Sequence, residues 1–333
     1  MTAARAPAHR GRRRALLPLV GLTLAVGLLL HHLDLSAVGR ALAGVDPQPL
    51  TAAAALVTLG LGLASMRLAA YLRAADQPRA LRRCAQAVCA GCVLNVVLPA
   101  RGGDLAKALM LRRRGDEPLT PLIGAALLER LGDLQLLLLI GAAGAFALGR
   151  PRQAALVGAA ALAPPLVLLV LRSDAVARRL GRLRPLADAA AGSLRRPHQL
   201  LLGLALSGLF WLLLVIVVAL LLRACGGPPL DDATLQHVAA ATPLAILIGT
   251  LPLSIAGIGT RDAAFVALLA PLATAEVLAA VALLYTVLTY ALPALIGAAA
   301  LGAGEVRALR RRLRRGDATG EGAVDGAGAA RSS

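Results

Sequence analysis

The order of apolar and polar positions along the chain divides it into long hydrophobic runs separated by short charged ones. Strong apolar segments cover 15–33, 50–72, 81–98, 119–148, 153–171, 198–222, 234–251 and 275–300. Each approaches or exceeds the roughly 20 residues that an α-helix needs to span a bilayer core. Shorter mixed helices are expected at 103–114 and 261–271. The stretch 174–196 is rich in arginine and reads as a connector, partly helical, lying near the membrane surface. The pattern therefore predicts an all-α integral membrane protein.

Composition agrees with the pattern. Of 333 residues, 58% are hydrophobic and only 16% charged, which excludes a soluble domain of this size. The net charge of +17 would suggest nucleic acid in a soluble protein. With aromatics at 2% and basic residues clustered between apolar runs, it reports instead on topology and anionic lipid headgroups. No nucleic-acid partner is expected. Arg12-Arg13-Arg14 precede the run Ala15 to Leu30, and no small-x-small cleavage site follows. Segment 15–33 is therefore expected to stay as a first helix. Cys84, Cys89 and Cys92 fall in one apolar segment and Cys225 stands apart, so neither a metal site nor a disulfide framework is expected, and no cofactor motif stands out.

Positive charge then chooses between topologies. If all eight long segments span from a cytoplasmic N-terminus, Arg101, Lys107, Arg112 to Arg114 and the seven arginines between Arg172 and Arg196 fall outside. That violates the positive-inside rule. If 81–98 with 103–114 and 234–251 with 261–271 form re-entrant helical hairpins, only Arg40, Arg150, Arg152 and Arg223 lie outside. The expectation is about six full transmembrane helices plus two re-entrant hairpins, with both termini cytoplasmic. Residues 1–14 form a basic N-terminus, 15–300 the membrane domain, and 301–333 a basic and then disordered tail. The halves 50–148 and 198–300 follow the same order in opposite orientation, an inverted repeat of the kind transporters use.

Each hairpin tip carries Leu-Pro, then glycine, arginine and aspartate. The first tip includes Pro99, Arg101, Gly102, Gly103 and Asp104; the second includes Pro252, Gly257, Gly259, Arg261 and Asp262. With Asn95-Val-Val-Leu-Pro99, Lys107 and Leu128-Glu-Arg-Leu-Gly-Asp133, these motifs resemble the lysylphosphatidylglycerol synthase transmembrane region, the flippase-like domain family, over about 15–300. The family usually has Glu at the positions of Asp104 and Asp262 and Arg at that of Lys107. The resemblance implies moving or presenting lipids in the cell membrane, with aminoacylated phospholipids or lipid-linked sugars as substrates. The full synthases add a soluble aminoacyltransferase domain. This chain is expected to lack it, since it runs only some 30 residues past the last apolar run.

Charges inside the membrane are expensive and mark the candidate substrate site. Glu129, Arg130 and Asp133 fall within segment 119–148. They read either as a self-neutralised triad, with Arg130 and Asp133 three apart, or as carboxylates for a cationic headgroup or a coupling proton. Arg101 and Arg261 are candidates for lipid phosphate, because guanidinium matches phosphate oxygens and each opens a half-helix. The alternative is that they only pair with Asp104 and Asp262, which also suit helix capping. Lys107 can reach a phosphate or extend to the interface. Tyr285 and Thr289 share a face and read as packing. Glycines 102, 103, 257 and 259, with Pro99 and Pro252, shape the tips. The leading function is a lipid flippase, whose partners are anionic phospholipid or lipid-linked headgroups. A transferase using a lipid-linked donor, and a non-catalytic partner of an envelope-lipid synthesis enzyme, are the alternatives.

Overall fold

In the computed structural model, residues 34–97, 103–112, 118–171, 184–250 and 259–300 are described, with four isolated positions between 173 and 181. At 95–97 and 103–106 the backbone alone is described. The expected first helix at 15–33, the tip residues 98–102 and 251–258 and the tail lie outside these residues.

Every described element is helical. They are α1 (Leu35–Ala43), α2 (Pro47–Ala74), α3 (Leu81–Val97), α4 (Gly103–Leu111), α5 (Thr120–Ala147), α6 (Pro151–Ala160), α7 (Ala163–Leu171), α8 (Arg184–Gly192), α9 (Pro197–Ala224), α10 (Asp232–Thr250), α11 (Thr260–Leu269) and α12 (Ala275–Thr286). After α12 the helix continues through a π turn at Val287–Ala291 to residue 300. Proline in the first turn starts α2, α5, α6 and α9, where its missing N–H costs nothing. Asp34 and Asp46 cap α1 and α2 by accepting from Ser36 N and Gln48 N. The π turn precedes Pro293, which cannot donate to the carbonyl of Thr289 and crowds it.

Among the described residues, five helical stretches, 47–74, 151–171, 197–224, 232–250 and 275–300, are long and apolar enough to cross a membrane. The 28-residue α5 equals α2 and α9 in length but carries Glu129, Arg130 and Asp133. At 1.5 Å per residue, 28 residues reach about 42 Å, beyond a bilayer core of roughly 30 Å. This is a multi-pass membrane protein. The run 153–171 is not one unbroken helix: it turns at Ala161–Leu162 and restarts with Pro164 and Pro165 in the first turn of α7. The basic connector is more than a surface strap. Within α8, Ala187 and Ala190 are buried, and Ala189 sits so close to α5 that a Cβ on Gly124 would meet its methyl at 2.7 Å.

Two contacts fix the relation between the halves. The Asp46 N–H donates to Ala224 C=O at 2.9 Å, joining the start of α2 to the end of α9. At the opposite end Asp76, after α2, pairs with Arg196 at the start of α9. The two lead helices therefore run antiparallel along their full length. Tyr71 of α2 is wedged against α5 and α9. It is fully buried, its hydroxyl lies 3.3 Å from Ser207 Oγ, and Cβ atoms on Gly132 or Gly203 would strike its ring or hydroxyl.

The hairpins pack reciprocally. Gly144 of α5 lies against α10, where an added Cβ would come within 2.5 Å of Ala240 N. Gly297 of the last helix lies against α3, where a Cβ would come within 2.8 Å of Cys89 O. Cys89 and Ala240 each stand eight residues after the first residue of their helices. The first helix of each hairpin thus meets the long closing helix of the other half at an equivalent place. Small residues at such crossings let backbones approach, the main source of helix association in lipid.

Candidate functional site

The site grows from α5. Glu129 and Asp133 are one turn apart on one face, and they are 1% and 4% exposed. From α2, the buried Arg67 reaches both: its Nη2 donates to Glu129 Oε1 at 2.6 Å and its Nη1 to Asp133 Oδ1 at 2.8 Å. A planar guanidinium with parallel donors suits two carboxylates separated by one helical turn. Phe210 of α9 covers the guanidinium at 4.6 Å. Its neighbour Trp211 donates its indole N–H to Asp133 Oδ1 at 3.0 Å. Lys107 Nζ of α4 lies 3.4 Å from Glu129 Oε2, and Arg130 Nη1 lies 3.5 Å from Asp133 Oδ2. Four helices are thereby tied through two carboxylates.

The second half builds a different cage around Arg261, which is 3% exposed. Its Nε and Nη2 donate to Asp262 Oδ1 at 3.1 and 2.7 Å, and Nη2 also donates to Thr286 Oγ1. The rings of Tyr285 and Tyr290 lie 4.9 and 5.4 Å from the guanidinium carbon. Local geometry makes this placement possible. Gly259 has φ of +91°, a conformation closed to side chains, and its N–H donates to Asp262 Oδ2 at 3.0 Å. Gly249 of α10 leaves room for Arg261, whose Cβ would stand 2.6 Å from an added Cβ.

Both cages face one cavity of about 200 Å³. Its lining includes Arg67, Lys107, Arg130, Asp133 and Arg261, with the aromatic side chains of Phe210, Trp211, Tyr285 and Tyr290. The two arginines are not equivalent there. Both terminal nitrogens of Arg67 are engaged by carboxylates. Arg261 also lines the cavity, and its Nη1 donates to no group among the described residues. Chemically, the arrangement offers a fixed cation to an anion, beside carboxylates already engaged by cations.

The family described as Lysylphosphatidylglycerol synthase TM region matches residues 15–297. The chain belongs to that family. No curated protein matches the chain in sequence. Membership in the lysylphosphatidylglycerol synthase TM region family suggests a membrane protein of lipid metabolism or transport.

Of the family motif residues, Lys107, Glu129 and Asp133 meet in one cluster, with Arg130, its side chain 35% exposed, at the edge. Lys107, the sole lysine of the chain, turns inward to Glu129. Arg130 and Asp133 do pair locally, but Arg67 holds Asp133 more closely. Arg261 pairs with Asp262, and Asp262 closes the first turn of α11 as capping requires. Gly103 opens α4; the side chain of Asp104 lies outside the described residues, as do Pro99, Arg101, Gly102, Pro252 and Gly257. Sequence reasoning missed Arg67, Trp211 and Tyr290, and read packing as the leading role of Tyr285 and Thr289, both of which line the cavity. An arginine seven residues before the end of a 28-residue apolar helix was itself a signal, by the rule that singled out Glu129.

Proposed function

We propose that this chain moves the phosphate-bearing headgroup of a lipid across the cytoplasmic membrane, as a flippase. The observation that carries the reading is Arg261: buried, held on three sides, and lining a cavity between the halves. An ionised donor in a low-dielectric site binds an anionic oxygen more strongly than it would in water. About 200 Å³ suits a headgroup, leaving acyl chains in the bilayer.

Antiparallel lead helices and reciprocal hairpin packing support an inverted repeat, in which rocking of one half against the other exposes the cavity to each side in turn. Arg40 and Arg223 stand at one end of the helix pair, the end assigned to the outside, while the richer basic segments face the cytoplasm with both termini. In this reading α3–α4 and α10–α11 enter the membrane as re-entrant hairpins.

The test is translocation of fluorescent anionic phospholipid in proteoliposomes. Wild-type protein is expected to move it, and Arg261→Gln protein of normal size-exclusion profile is expected to lose most of the rate. Equal rates in the two proteins would overturn the assignment.

A further inference from the structure

We propose that the ion pair between Asp76 and Arg196 is a latch that shuts one end of the seam between α2 and α9, and that its release opens the cavity from that side. The latch concerns how the cavity is reached and does not depend on what it binds.

It lies where the two halves depart from their own symmetry. α2 and α9 each run for 28 residues from a proline in the first turn. Aligned by those prolines, they end on matching sequences, Leu72-Arg73-Ala74-Ala75-Asp76-Gln77-Pro78 and Leu222-Arg223-Ala224-Cys225-Gly226-Gly227-Pro228. The two ends also close alike. The N–H groups of Asp76 and Gln77 donate to Arg73 and Leu72 C=O at 3.2 and 2.7 Å, and those of Gly226 and Gly227 donate to Arg223 and Leu222 C=O at 3.2 and 2.9 Å. Such a helix stop needs a left-handed residue, usually glycine. Gly226 supplies it, with φ of +82°. At the matching place stands Asp76, with φ of +57°, the one non-glycine of positive φ among the described residues. Asp76 forgoes the easier glycine backbone, and that outlier points to a role for its carboxylate.

The starts of the two helices differ in a matching way. Asp46 precedes Pro47, and its N–H donates to Ala224 C=O at 2.9 Å, so that end is tied by backbone. The symmetric bond would join Arg196 N–H to Ala74 C=O. Arg196 N–H donates instead to Ser193 C=O at 3.0 Å, and its guanidinium crosses to Asp76. The side chains of Arg196 and Asp76 are 46% and 56% exposed. A backbone tie at one end and a water-exposed ionic tie at the other make a pivot and a catch. An exposed pair shifts an equilibrium by about two- to fivefold, enough to bias closure and weak enough to release.

Behind the catch the seam leads to the cavity. Tyr71 comes next, its hydroxyl 3.3 Å from Ser207 Oγ. Arg67 and Phe210 follow, 4.6 Å apart and both on the cavity wall. Arg67 is nine residues from Asp76, about 14 Å along the helix. In the proposed topology this end faces the cytoplasm.

Cys92, half-buried on the cavity wall, supplies the assay. The full chain, with Cys84, Cys89 and Cys225 replaced by alanine, is placed in right-side-out and inverted membrane vesicles. The rate at which a small, charged, membrane-impermeant methanethiosulfonate modifies Cys92 is measured from each side. Asp76→Gly and Arg196→Gln are each expected to raise the rate about two- to fivefold from one side only. The double variant is expected to match either single one, because both break the same contact. Arg196→Lys is expected to keep the unsubstituted rate. At about 1 M KCl, where screening acts within about 3 Å, the variants and the unsubstituted chain should converge. Asp76→Gly should keep its unfolding midpoint, since glycine suits the backbone there.

Unchanged labelling in both single variants would overturn the latch. So would additive effects in the double variant, equal increases from both sides, or no labelling of Cys92 from the latched side in any of the proteins. Lipid translocation by the same proteins reports on the flippase reading separately: its absence alongside one-sided, non-additive labelling would sink that reading and leave the latch standing.

Discussion

Replacing Arg67 by methionine should be among the most damaging single changes in the molecule. It removes two charge-assisted hydrogen bonds, at 2.6 Å to Glu129 and 2.8 Å to Asp133, and leaves both carboxylates buried. Taking one partner from a buried ion pair typically costs about 3–5 kcal/mol. Lys107 stays beside Glu129 and the Trp211 N–H stays on Asp133, so the low end, about 3 kcal/mol, is expected. Equilibrium unfolding in mixed micelles, followed by Trp211 fluorescence, measures it. The decisive arm is the second substitution. In wild type, Asp133→Asn breaks the pair and destabilises. In the Arg67→Met background the same change neutralises a stranded charge while keeping an oxygen for the Trp211 N–H, and should restore about 1 kcal/mol or more. If Arg67→Met costs under about 1 kcal/mol, or Asp133→Asn destabilises both backgrounds equally, the two carboxylates do not depend on Arg67 as argued.

Gly259→Ala should destabilise by about 2 kcal/mol in the same assay, because a side chain at φ +91° is strained wherever it points; an unchanged unfolding midpoint would contradict this. Gly144→Val and Gly297→Val should each cost about 1–3 kcal/mol and resemble one another, since both press a side chain into the backbone of the opposite half's hairpin. A large effect at only one of them would break the equivalence of the crossings. Asp231 accepts hydrogen bonds from Thr234, which hold its carboxyl below its ordinary 3.8. A depressed folded-state value means stability present above 3.8 and lost as pH falls through the folded value. The stability gap between wild type and Asp231→Ala, measured by unfolding at stepped pH, should therefore be open at pH 6 and close below about 3.8.

Much of the helical frame was legible because lipid leaves few alternatives. The segments 50–72, 119–148 and 198–222 correspond to Pro47–Ala74, Thr120–Ala147 and Pro197–Ala224. In each case a proline within the first turn marks the start as well as hydropathy marks the run. The turn inside 153–171 escaped because hydropathy does not register a break between two apolar stretches; Pro164 and Pro165 were the available sign. Glu129 and Asp133 stood out as charges in an apolar helix. Their main partner did not, because Arg130 offered a local answer at i,i+3, whereas Arg67 lies 62 and 66 residues away. Trp211 sits in an apolar run, where a single aromatic reads as core.

The two halves share a scaffold and divide the chemistry. In each, the short helix that ends a hairpin sends one cation to the long helix that follows: Lys107 to Glu129, nine residues after Thr120, and Arg261 to Thr286, eleven after Ala275. In the first half the receiving residue is a carboxylate, and Arg67 from α2 joins it, so charge is met within the protein. In the second half the receiving residues are a hydroxyl and two aromatic rings, which hold a guanidinium without neutralising it. Asp262 then supplies one carboxylate, already shared with the Gly259 N–H. In the proposed reading, the α5 network holds helices in register and Arg261 binds the anion. An acid in place of Thr286, which Arg261 Nη2 already contacts, should abolish binding of the anion proposed at Arg261 while leaving the α5 network intact, read by lipid translocation beside unfolding of the same protein.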